Sequence, residues 1–154
     1  MTEPRHERAL VSVRAAVREK ARVNVFARSH RIVAGESLSF DREETVPSGV
    51  EHLLTAVASD LVAGFARLAR KRRVVLDGLE ASLQAEVDGA LVWLGVVGES
   101  GEPRLRAVSG TLYVSSPASR AVLEELWKDV WAQAPVCAAL AGAVPMDVRL
   151  AMTS

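Results

Sequence analysis

The sequence predicts an α+β fold, in which strands come in runs and one very apolar helix interrupts them. Three observations carry this. From Val11 to Arg28 apolar residues fall on alternate positions, the period of a strand with one face covered. Between Val50 and Arg72 the period changes to that of a helix, with Val50, Leu54, Val57, Leu61, Phe65 and Leu68 on one stripe. Strict alternation then returns over Leu79 to Val87 and again over Val144 to Met152. Strands grouped in runs, rather than each followed by a helix, separate α+β from α/β.

Each element follows from local pattern. Val11, Val13, Ala15 and Val17, then Ala21, Val23, Val25 and Ala27, alternate with mostly polar neighbours, which predicts a strand pair turning near Glu19-Lys20. His30 to Ala34 adds a short third strand, and the Ser- and Glu-rich stretch Gly35 to Gly49 reads as a loop. The helix over 50–72 is apolar around most of its circumference, because Leu53, Ala56, Ala58, Val62, Ala63 and Ala66 widen its stripe. Such a helix belongs inside a domain or between subunits. Arg70 to Arg73 closes it, with cations at the negative end of the helix dipole; contact with a phosphate is the rival use of that cluster.

Asp88-Gly89 marks a hairpin turn or a bulge, and the uninterrupted apolar run Leu91 to Val97 predicts a strand buried on both faces. Gly98 to Pro103 turns, and Arg104 to Val114 forms a further strand whose parity slips at Gly110, the mark of a bulge. Ser116-Pro117 reads as an N-cap with proline in the first turn of the next helix. Pro135 breaks that helix and opens a second short one through Ala141, before a last strand. The predicted order is β-β-β-α-β-β-β-α-α-β.

Composition bounds the rest. A chain of 154 residues has the length of one domain, with residues 1–9 as a loose leading segment. Lys and Arg together number 19, as do Asp and Glu, so there is no net charge to favour nucleic acid or an anionic membrane as partner. A single cysteine, Cys137, forbids an internal disulfide and suits a reducing cytoplasm. Met1 to Arg8 is charged and leads into no signal-peptide apolar stretch, and the run Ala134 to Met146 is too short to span a membrane. His6, His30 and His52 lack metal-ligand spacing, and neither a phosphate loop nor a nucleophile elbow is present, so no cofactor is expected. Trp127 and Trp131, four residues apart, suit packing better than ligand stacking.

Two segments resemble the OsmC-like family, which includes the organic hydroperoxide resistance proteins. Glu51-His52-Leu53-Leu54-Thr55-Ala56-Val57-Ala58-Ser59-Asp60 is similar to the family's central helix, P-x-E-L-L-L-A-A-L-x-x-C. Ala134-Pro135-Val136 is similar to its later C-P-V segment, which opens another helix. The resemblance implies antiparallel sheets around the long apolar helix and an intertwined homodimer with a pocket at its interface. It also implies a thiol peroxidase, in which one cysteine attacks a hydroperoxide and the second resolves the sulfenic acid as a disulfide. Carried over by position, the attacking cysteine falls on Asp60 and the resolving one on Ala134, so neither can do that chemistry. Glu51 matches the glutamate nine residues before the reactive position. The assisting arginine has three candidates, Arg14, Arg22 and Arg28, on one strand face.

The leading expectation is therefore a homodimer that keeps the family scaffold without its peroxidase cycle. Glu51, Asp60 and Cys137 are the candidate pocket residues, for a small, partly apolar molecule. Asp60 is either a pocket residue that binds a ligand or moves a proton, or a carboxylate satisfied by solvent or a salt bridge. Cys137 is either a small core hydrophobe or the thiol of a one-cysteine reductase. A purely structural or interaction role stands as a third alternative.

Overall fold

The computed structural model describes residues 8–19, 22–41 and 43–153, which fall into two units, Met1–Gly49 and Val50–Ser154. The first unit holds a three-stranded antiparallel meander: β1 (Arg14–Glu19), β2 (Arg22–Ala27) and β3 (His30–Ala34). The expected third strand is thus present. A two-residue turn, Arg28-Ser29, joins β2 to β3 and puts Arg28 at φ 52°. The expected turn at Glu19-Lys20 and the loose leading segment lie largely outside the described residues. The loop after β3 is tied back to itself, since the Gly35 and Gly49 N–H groups donate to the Pro47 and Glu36 carbonyls at 2.8 and 2.9 Å.

The second unit is built around α1 (Gly49–Lys71), within one residue of the expected bounds at each end. Its Val57, Leu61, Phe65, Leu68 and Ala69 are buried. The helix closes on a double backbone bond, with Arg73 N–H to the Arg70 carbonyl and Val74 N–H to the Ala69 carbonyl. Arg73, at φ 58°, takes the left-handed position that ends such a motif. The basic cluster is used in part, because Arg72 is paired with Asp129 and Glu125 on α3.

β4 (Gly78–Asp88) and β5 (Arg104–Ser115) pair antiparallel, and β6 (Met146–Thr153) lies parallel to β5. The second sheet is therefore mixed, where antiparallel sheets were expected. The cause is the crossover through α3 (Arg120–Gln133) and α4 (Pro135–Ala141), which returns the chain to the end of the sheet where β5 began. Side chains of α1, α3, α4, β5 and β6 share one core, including Leu112, Leu126, Val130, Cys137 and Val148.

Three local expectations fail. Leu91–Val97 is no buried strand: Ala90–Trp93 forms one helical turn (α2), and Leu91, Leu94 and Val97 are exposed, Val97 at 99%. An apolar run bounded by turn residues fits a strand or a helical turn equally, and Gly89 at φ 68° turns the chain away from the ladder. The bulge sits at Arg106, where Glu86 faces Ala107 and Val87 faces Leu105, and not at Gly110. Gly110 lies in regular pairing with Leu83; a Cβ there would meet the Ser82 carbonyl oxygen at 2.2 Å. Finally, α3 starts at Arg120 with Ser119 as its N-cap residue. Ser116 instead shapes the preceding turn, its hydroxyl accepting from Ala118 N–H and donating to the Val75 carbonyl.

Candidate functional site

Asp60 stands at the midpoint of α1, one residue from buried Leu61, and its carboxylate reaches across to the start of α4. There Oδ2 accepts two backbone hydrogen bonds, from Val136 N–H at 2.9 Å and Cys137 N–H at 3.1 Å. These are the N–H groups of the second and third residues of α4, the first being Pro135, which has none, and no intrahelical carbonyl can satisfy them. The N-cap residue itself is Ala134, which has no side-chain oxygen. A carboxylate from another helix does the capping that a local Ser or Asp would ordinarily do, and its negative charge suits the positive end of a helix. No salt bridge among the described residues satisfies this oxygen of Asp60. The backbone does.

Cys137 follows directly. The residue is fully buried, with Sγ 4.0 Å from the Val57 carbonyl oxygen. Burial, then the charge of Asp60 and a hydrogen bond with it, push the thiol up from 9.0 to about 12. Every one of these causes opposes a thiolate, the form that attacks peroxide.

Glu51 does not join them. It lies nine residues before Asp60 on the same helix, about 13.5 Å away along the axis and two and a half turns round it, so the two point to opposite sides. Of the arginine candidates, Arg14 stacks over the Phe26 ring at 4.4 Å, and Arg22 is bonded to Thr45 and paired with Glu44, all within the first unit. Arg28 sits in the β2–β3 turn, beyond the strand face that suggested it.

What sequence reasoning missed lies further along α1. A cleft of about 220 Å³ between α1 and α3 is lined by Asp60, Ala63, Gly64, Arg67, Val130 and Gln133. Asp60 and Arg67 are seven residues apart, almost two full turns, and so share that face. Arg67 donates from Nη2 to Gln133 Oε1 at 3.0 Å and, among the described residues, forms no ion pair. The available signal was Gly64, a helix-weakening residue mid-helix between two charged positions of one face. A larger concavity, of about 370 Å³, lies on the β4-β5-β6 sheet and is lined by Gln84, Ser109, Asp147 and Arg149 among others. Its polar groups bond one another, Gln84 to Ser109 and Arg149 to Asp147, and it holds none of the candidate residues. Among the described residues no cluster of His, Cys, Asp and Glu could hold a metal ion.

With this geometry in place, the family model described as OsmC-like protein matches residues 42–149. The chain belongs to the OsmC-like family. Solved structures agree on the fold. The OsmC-like protein from Mycoplasma pneumoniae superposes with a TM-score of 0.79 at 14% identity, over 95% of this chain and 99% of the other. The organic hydroperoxide resistance protein OhrB of Bacillus subtilis gives 0.64 at 13% identity, over 93% and 100%. That of Legionella pneumophila gives 0.66 at 12%, over 94% and 99%. No curated protein matches the chain in sequence. α1 is long and apolar enough by length and composition to cross a membrane, and its buried face belongs to the core of the second unit.

Proposed function

We propose that this OsmC-like chain is a cytoplasmic homodimer that stands outside the thiol-peroxidase cycle and binds a small, partly apolar molecule. The observation that carries the reading is the bond between Asp60 and the α4 backbone. Positions 60 and 134 are where the family resemblance puts a redox cysteine pair. Here the first has become a capping carboxylate, and the second the alanine whose missing cap it replaces. A structural joint has replaced a reactive pair, with both members changed in a mutually consistent way.

The two enzyme alternatives lose ground on the same facts. A one-cysteine reductase needs an accessible thiolate, and Cys137 is buried with its thiol held protonated. An acid-base role for Asp60 competes with the two backbone donors already on Oδ2. Support for the dimer comes from the α1 surface, where Ala56, Ser59, Ala63 and Ala66 make one row of small side chains. Three of the four are exposed. Small residues let a second helix approach closely.

The test is consumption of an organic hydroperoxide with a dithiol reductant, by wild type and Cys137→Ser. The expected result is no turnover above background in either. Robust turnover by wild type that disappears in the variant would overturn the reading. Asp60→Cys combined with Ala134→Cys should bring back some activity, because the structure holds position 60 against the start of α4.

A further inference from the structure

The cleft beside the Asp60 joint has a polar group at each end and an apolar middle. At one end Asp60 uses Oδ2 for the α4 backbone, and among the described residues its second oxygen has no N–H or O–H donor. At the other, Arg67 spends one donor on Gln133 Oε1. That bond fixes the amide so that its NH2 group and the remaining guanidinium donors are left for a guest. Most arginines bonded in the second unit, namely Arg72, Arg104, Arg106, Arg120 and Arg149, face a carboxylate, whereas Arg67 faces a neutral amide. Its charge is therefore available.

Between the ends Gly64 and Ala63 keep the floor low, and Val130, Leu68 and Pro135 make it apolar. The ends are seven residues apart on α1, about 10.5 Å of helix axis, and helical side chains lean toward the N-terminus, so Arg67 leans toward Asp60. We propose that this cleft binds a chain-like carboxylic acid with a hydrogen-bond donor at its far end, an ω-hydroxy or ω-amino acid of medium length. Arg67 and Gln133 take the carboxylate, a planar fork matched to a planar acceptor. The free oxygen of Asp60 accepts from the distal hydroxyl or ammonium, and the methylene chain covers Ala63, Gly64 and Val130. The inference deepens the ligand-binding part of the function proposed above and rests on it.

Titration calorimetry of the full chain with ω-hydroxyoctanoate tests it, alongside octanoate, Arg67→Met and Gly64→Leu. The glycine variant fills the cleft while raising helix propensity, so folding, checked by circular dichroism, is expected to persist. The expected result is one saturable site per chain, weakened about tenfold or more by Arg67→Met. Gly64→Leu abolishes binding, and octanoate binds more weakly than the hydroxy acid. No saturable heat at millimolar ligand with folded wild type overturns the proposal, as does unchanged affinity in Arg67→Met. Equal affinity for octanoate takes Asp60 out of the site and overturns the two-ended assignment. Peroxide turnover would fail the preceding reading alone, since calorimetry is run without peroxide or reductant.

Discussion

Asp60 and Cys137 show how burial and a neighbouring carboxylate together set the chemistry of a thiol. A cap in trans has a definite cost when removed. Asp60→Ala leaves two N–H groups of α4 without an acceptor and should cost about 1–2 kcal/mol, while Asp60→Asn, which keeps a carbonyl oxygen, should cost less. Urea unfolding midpoints measure both, and an unchanged midpoint for Asp60→Ala would remove the cap from the account. For Cys137 the direction of pH dependence follows from a folded-state pKa raised above the unfolded value. The folded state holds the proton longer, so this contribution is complete below about pH 9 and is lost as pH rises toward about 12, at about 1.4 kcal/mol per pH unit. Wild type should therefore lose stability faster than Cys137→Ala between about pH 9 and pH 10. A thiol reagent should label Cys137 only as fast as the protein opens.

Elements end and pair here through backbone conformations that side-chain patterns do not report. Arg73 pays for a left-handed residue at the close of α1, where glycine is the usual occupant. Arg73→Gly should raise stability by about 1 kcal/mol, read from the thermal midpoint. Gly110 has the opposite character. Its absent Cβ is what lets β5 lie against β4, so Gly110→Ala should destabilise by about 1–3 kcal/mol or prevent folding. The same contrast explains why the parity slip was misplaced. A glycine inside a strand suggests a bulge, but this one marks a close approach of two strands, and the extra residue sits at Arg106.

At the scale of the molecule, α1 is both the core helix and the exposed face of the proposed dimer. Its inner residues are buried within one chain, while the row from Ala56 to Ala66 is left largely uncovered. Wild type should sediment as a dimer. Ala56→Arg, which sets an unpaired charge in a close helix contact, should raise the dimer dissociation constant on the order of 100-fold. A dimer indifferent to that change would have to be built on another surface.

The amino-acid sequence by itself determined the class, the order of nearly all elements and the central place of α1, because periodicity records which face of a segment is covered. It also determined that positions 60 and 134 carry no redox cysteines, which needs only their identity. Tertiary structure alone decided what Asp60 does. Its partners are backbone N–H groups 76 and 77 residues away, and backbone donors leave no mark in a side-chain pattern. For the same reason the parallel seat of β6, the exposed turn at Leu91–Val97 and the cleft that α3 closes over Asp60 and Arg67 emerged only when the elements were packed. Each depends on which surfaces meet, and that is settled by competition among all the apolar faces at once.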